Sequence, residues 1–500
     1  MRTPRSRLAL AAGLATVLAL SGCAAPSPDK TDGSDAHVTV GLVLEPTDLN
    51  IRKTSGVALD QVLLDNVYEG LVRREADGSV ADSLAKSHTV SPDGLTYTFT
   101  LNENVHFHSG NALTAQDVVW SLTQVLDDAS VKDHATIAAI RTVTSPDPQT
   151  VVLTLSNPDS NLLWNLGGRA GQILEEKATN DLATSANGTG PFLLKKGAWK
   201  QGDSLTLDRN DDYYGAKAKV SEITFRYIQD PTAAINATLT GDLDVQTGVD
   251  ANLRPQLARD ADVKVTEGRT TDKYTLVFNP KVPALADPKV REALRTGIDH
   301  QAIIDSIGGA GVPQGGPIPE LDPGYQDLTK EITFDPAKAK SLLAEAGQSN
   351  LTLTLTVANH YPTVISNVLT SQFKNIGVTL KVNRVEFPTW LNDVYTNHDF
   401  DLSLVNHAES RDFSNWTNPD YYFGYNNPTV QALYAESVAA TDPKVVDEKL
   451  AEAARLVAAD NPADWLFTGK SLTAVRSGVT GFPTDSTTSR LYLANLTVTR

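Results

Sequence analysis

Cysteine is almost missing from these 500 residues: there is one, Cys23. No disulfide can form within the chain, and the paired cysteines of zinc or redox motifs are excluded. Methionine is as scarce, with one residue, and aromatic residues make up only 7%. Positive charge is in deficit, since 43 Lys and Arg face 60 Asp and Glu for a formal net charge of −17. That balance argues against nucleic acid or anionic headgroups as a main partner. One apolar run stands out, Leu8 to Leu20, and it falls short of the about 20 residues that a bilayer span needs. No Gly-x-Ser-x-Gly and no His-Glu-x-x-His occurs.

What is present begins with an address. Arg2, Arg5 and Arg7 form a basic lead into the apolar run, which ends in Leu20-Ser21-Gly22-Cys23. That ending resembles a bacterial lipobox, which implies cleavage before Cys23 and lipidation of its thiol. An ordinary secretory signal with an incidental cysteine is the alternative. Residues 1–22 read as the signal and 23–36, rich in Pro, Ser and Asp, as a flexible tether. Acyl chains contribute about 0.8 kcal/mol per buried methylene, so two or three of them would hold the protein on a membrane. The remaining 478 residues exceed what one hydrophobic core serves and predict two or three lobes.

Alternation of Val38, Val40, Leu42 and Leu44 predicts a first strand, and Leu95, Tyr97, Phe99 and Leu101 another. Thr114 and Asp117 form a capping-box pattern before a helix with Val118, Leu122 and Val125 on its apolar face. Three later helices open on Asp287-Pro288, Asp335-Pro336 and Asp442-Pro443, an N-cap followed by proline in the first turn. Strands are predicted at 351–357, 378–382 and 400–404. Helices between strands make an α/β protein.

Tyr68 to Leu71, Phe107 to Gly110 and Leu113 to Val118 stand in one order within about fifty residues. Together they resemble the signature of the extracytoplasmic solute-binding proteins of the peptide/nickel (family 5) ABC importers. The resemblance implies a periplasmic-binding-protein-like fold, two lobes joined by a hinge with an extra family-specific subdomain. On that pattern lobe I takes 37–66, 188–272 and 476–500, the extra lobe II takes 67–187, and lobe III takes 273–475. Gly188, Thr189 and Gly190 match the family's hinge crossing, where glycines are expected for φ values that other residues resist. A phosphate loop is rejected there, because the Lys-Ser/Thr ending and following helix are missing.

The same resemblance assigns the ligand. In peptide-binding members an acid after the late strand pairs with the peptide's α-ammonium, and Glu409 of Ala408-Glu409 matches it. Arg411 has the geometry to grip a carboxylate, and Asp412, His407 and Glu45 are further polar candidates. Each of these reads equally as a solvated or packed loop residue. Trp390 and Trp416 read as ligand walls or as core. His106 and His108 lack the spacing of a metal site, and His108 reads as structural. A short peptide is the implied solute, an oligosaccharide or metal chelate the alternative, and the low aromatic content counts against sugar. A permease with a separate ATPase is the implied partner; a tethered solute sensor is the other class of reading. No cofactor and no metal of its own are expected, nor nucleic acid, and the chain is expected to be an extracytoplasmic, lipid-anchored monomer. Ser83-x-x-Lys86, Ser109-x-Asn111 and Arg295-Thr296-Gly297 imitate a secreted serine acyl-transferase, but their spacing does not suit that chemistry.

Overall fold

Among the described residues, five helices with proline in the first turn start on a side chain that accepts from their own first-turn amides. Asp287, Asp335 and Asp442 do so ahead of Pro288, Pro336 and Pro443, as expected, and Asp230 and Asn427 do the same ahead of Pro231 and Pro428. Proline costs nothing there, because its missing N–H has no acceptor in a first turn. Helix Ala115–Asp127 carries the capping box, with Thr114 N donating to Asp117 Oδ2 at 2.9 Å. These elements belong to a computed structural model that describes residues 36–487 and 490–499. The signal sequence, Cys23 and the tether up to residue 35 lie outside the described residues.

Among the described residues, twelve strands join one large sheet. At one end His37–Leu42 pairs in parallel with Glu222–Tyr227, over a core of Val38, Val40, Leu42, Phe192, Leu207 and Phe225. At the other end Thr352–Ala358 lies between Thr379–Val385 and Leu402–His407, parallel to both. Two long antiparallel strands, Val263–Phe278 and Ala463–Arg476, span the middle. Alternate residues serve opposite faces: Leu276 and Phe278 join one core with Leu355 and Phe373, while Val277 joins another with Trp390, Trp416 and Trp465. A separate antiparallel sheet runs Ala85–Val90, Thr96–Leu101, Thr150–Leu155, Ile140–Asp147 and packs Phe99 and Leu153 against Leu122 and Val125 of the capped helix.

The chain limits read from the sequence meet this sheet unevenly. The limit at 272/273 falls inside Val263–Phe278, whose ladder with Ala463–Arg476 runs from Val263↔Arg476 to Val277↔Ala463. It is interrupted by a register shift between Arg269 and Lys273, where residues 270–272 bulge out of the pairing.

The segment 188–190 also differs from expectation in its reason for glycine. Neither Gly188 nor Gly190 has a positive φ. What excludes a side chain is proximity: a Cβ would lie 1.9 Å from Val67 O at Gly188 and 2.4 Å from Asn66 O at Gly190. Gly190 N donates to Val67 O and Phe192 N to Asn66 O, while the Asn66 side chain is bonded to Leu491 O and Leu493 N. Three distant pieces of chain therefore cross in contact.

Glu69 is buried beside this crossing, 3% exposed. Its Oε1 accepts from Tyr213 (2.8 Å), Tyr214 (3.1 Å) and Ser83 (3.3 Å), and its Oε2 from Thr189 (2.8 Å). Burial pushes the carboxyl up to about 7, although the hydroxyls favour its charged form. A pKa raised on folding means the folded state holds a proton that the unfolded state releases above about 4.5. The associated stability is complete below that pH and lost as pH rises through about 7. Urea unfolding of Glu69→Gln against the parent should show a pH slope flatter by up to about one proton over this window. Identical slopes would contradict the burial argument.

Candidate ligand-binding cleft

A cavity of about 710 Å³ opens between these regions. Val43 and Leu44, which follow the first strand, form one side, and Arg74, Lys132 and Arg169 come from the region of the four-stranded sheet. Facing them are Thr270 to Asp272, from the bulge, with Ala408 and Glu409. Bulges re-aim side chains, and this one turns Asp272 out of the ladder towards the cavity.

Among the candidates from the sequence, Glu409 lines this cavity. It follows the strand Leu402–His407, is exposed, and its carboxylate has no hydrogen-bond or ion-pair partner among the described residues. Its backbone is held instead: Lys273 Nζ donates to Glu409 O at 2.8 Å and to Thr271 O at 3.0 Å. The same ammonium, 3% exposed, lies 3.3 Å from Asp412 Oδ1. Burial pushes Asp412 up to about 7 despite that cation. His407 lies against the same group, its Nε2 paired with Tyr422 Oη at 2.8 Å. Burial, then Lys273, pushes His407 down to about 3, so its ring stays neutral at ordinary pH.

The remaining candidates sit elsewhere. Arg411 adopts a left-handed backbone (φ 58°), and Asp322 accepts from Arg411 N (2.7 Å) and Ser410 Oγ. This aims the guanidinium at the other wall, 4.3 Å from the Trp164 ring centroid and within 3.5 Å of Asn161 Oδ1 and 3.3 Å of Gly78 O. Arg411 thus bridges regions far apart in the chain. Trp416 is 4% exposed and stacks on Phe423 at 4.1 Å. Trp390, also 4% exposed, donates to Ser403 Oγ at 2.9 Å. Both lie in a hydrophobic core. Glu45 accepts from Trp199 Nε1 (2.9 Å) and Gly202 N (3.0 Å), fastening a neighbouring turn.

Asp272, Lys273 and Arg74 were not singled out in the sequence. The polar run Thr270-Thr271-Asp272-Lys273, interrupting an alternating strand, was the available signal. Arg74 is held by Trp164, through the carbonyl (2.8 Å) and the ring (4.4 Å), and burial with Arg490 and Arg411 pushes it down to about 9. The three pieces of the serine-enzyme pattern are kept by different partners: Ser83 by Glu69, Ser109 and Asn111 by Glu175, Arg295 by Asp464. His108 bonds Gly190 O at 3.0 Å and so fastens its loop to the crossing.

The chain is similar to proteins already known. A Brucella ovis protein described as an ABC transporter peptide-binding protein is 31% identical over 333 residues, which are 63% of this chain and 62% of that one. The match thus spans less than two thirds of that relative. The glutathione-binding protein GsiB of Salmonella typhimurium is 26% identical over 477 residues, 90% of this chain and 91% of its own. The structure of the ABC transporter substrate binding protein CtaP from Listeria monocytogenes superposes with a TM-score of 0.83 at 24% identity, covering 93% of this chain and 100% of that one. The model of the bacterial extracellular solute-binding proteins, family 5 Middle, matches residues 79–458. The chain belongs to family 5 of the bacterial extracellular solute-binding proteins.

Proposed function

We propose that the protein captures short peptides in this cleft and delivers them to the permease of an ABC importer whose ATPase is a separate chain. Cys23, once lipidated, tethers it outside the cell membrane. The observation that carries the peptide reading is Glu409: an exposed, unpaired carboxylate, fixed through its backbone, on the wall of a cavity of about 710 Å³. A peptide's α-ammonium is the group that such a carboxylate favours, and an effective dielectric near 20 leaves the attraction large. The relatives named for peptide and glutathione binding support the same reading. A metal chelate is the second reading, because His407, Glu409 and Asp412 offer ligand atoms within 4.8 Å of one another. Lys273 already sits on Asp412, which disfavours it.

Capture follows from closure. A ligand that touches both walls stabilises the closed arrangement by its differential affinity for the two states. The hinge is the crossing at Gly188, Thr189 and Gly190 together with the two long strands. Arg411 adds a ligand-independent contact between the walls.

Two outcomes follow. Glu409→Gln should weaken a free dipeptide by about tenfold or more while leaving an N-acetylated dipeptide insensitive, as read by calorimetry; equal losses would remove Glu409 from the ammonium site. Arg411→Ala, which deletes a cation–π contact of about 1 kcal/mol, should speed ligand dissociation several-fold in stopped flow. An unchanged off-rate would show that Arg411 does not hold the walls.

A further inference from the structure

The wall that holds Glu409 carries more negative charge than one ammonium needs. Asp272 lines the same cavity, where it faces Lys273 and bonds the neutral amide of Asn406. The cations around it are committed elsewhere. From its own strand, Lys273 is drawn to Asp412 at 3.3 Å and to two carbonyls. From the paired strand, Lys470 holds Glu267 at 2.9 Å. Arg269 holds Asp485 at 2.7 Å and Glu320 at 3.0 Å. His407 is neutral, and Asp322, which faces Asp412, is occupied by Ser410 and the backbone of Arg411. Asp272, Glu409 and Asp412 therefore share the single ammonium of Lys273, leaving this wall two negative charges in excess when all are ionised, while across the cavity Lys132 is paired with Asp133, Arg169 with Asp60, and Arg74 is held by Trp164.

An α-ammonium at Glu409 meets one of these charges. We infer that Asp272 is a specificity-determining residue, and that the cleft selects peptides carrying a second positive charge next to that ammonium, as an N-terminal lysine or ornithine does. The inference rests on the peptide reading above. The bulge at 270–272 is the device that makes the site. Thr270 Oγ1 donates to Gly469 O (2.6 Å), Asp272 N donates to Thr270 Oγ1 (3.1 Å), and Thr271 Oγ1 donates to Ala408 O (2.8 Å). Strand 263–278 is thereby tied to the loop that carries Glu409. A divalent metal would meet the same excess, but Asp412 is bound by Lys273 and His407 by Tyr422, which leaves it only Glu409 among those ligands.

The test is calorimetry of the purified protein with Lys-Ala, ornithyl-Ala and norleucyl-Ala, the last matching lysine in shape without its second charge. The expected result is that Lys-Ala or ornithyl-Ala binds about tenfold or more tighter than norleucyl-Ala. Asp272→Asn should collapse the ratio to below about threefold, and Asp272→Glu should restore most of it. Thermal melts of both variants should match the parent's, which checks that the fold is kept. Equal affinity for the basic peptides and norleucyl-Ala in the parent overturns this inference and leaves the peptide reading standing. An Asp272→Asn loss that is the same for all three peptides overturns it as well, as a structural effect. Binding of none of them overturns the peptide reading and this inference together. Saturable binding of Ni²⁺ alone, lost in Asp412→Asn, would reassign the excess charge to a metal.

Discussion

Backbone at Asn66 and Val67 packs on Gly188 and Gly190 with no space between for a side chain, and the Asn66 amide ties the same place to Leu491 and Leu493. Much of the architecture depends on that contact. It connects the core around Val40 and Phe225 to the region of the four-stranded sheet, and it fixes where Arg74 and Arg169 enter the cleft. Close approach is an exacting constraint, because even one methyl group would force backbone apart rather than rotate out of the way. Glu69 sits at the same place, its carboxylate surrounded by hydroxyls in place of water. A buried acid satisfied only by neutral donors stays sensitive to anything that changes their spacing.

The second joint is of another kind. Two long strands lie between the core of Val40 and that of Leu276 and are joined by one ladder with irregular register. A ladder bends most easily where its register is already broken, and this one is broken at residues 270–272, on the cleft wall. The same irregularity puts Thr270, Thr271 and Asp272 on the lining of the cavity. Lys273 then organises what lies behind: it fixes the Glu409 backbone through a carbonyl, faces Asp412 and adds to the burial that keeps His407 neutral.

Local rules made much of this legible in the sequence. The Asp-Pro starts, the Thr114–Asp117 box and the alternating strands are each decided within a few residues, and all occur. Features set by distant partners were not legible. The bulge that turns out Asp272 arises from pairing with a strand about 200 residues further on, and Arg411 finds Trp164 some 250 residues away. Trp390 and Trp416 stood open between wall and core. Their place in the core follows from the aromatic run Tyr421-Tyr422-Phe423, whose density was visible in the sequence but whose neighbours were not. The glycines at 188 and 190 were read for the wrong cause, since crowding leaves no trace in one segment read alone.

The most direct test of the whole account is a native mass spectrum of the purified protein after incubation with a mixed pool of short peptides. One-to-one complexes whose added mass is released on denaturation, and sequences as peptide, are the predicted result. A bare chain under these conditions, or a retained ligand that contains no amino acid, would contradict it.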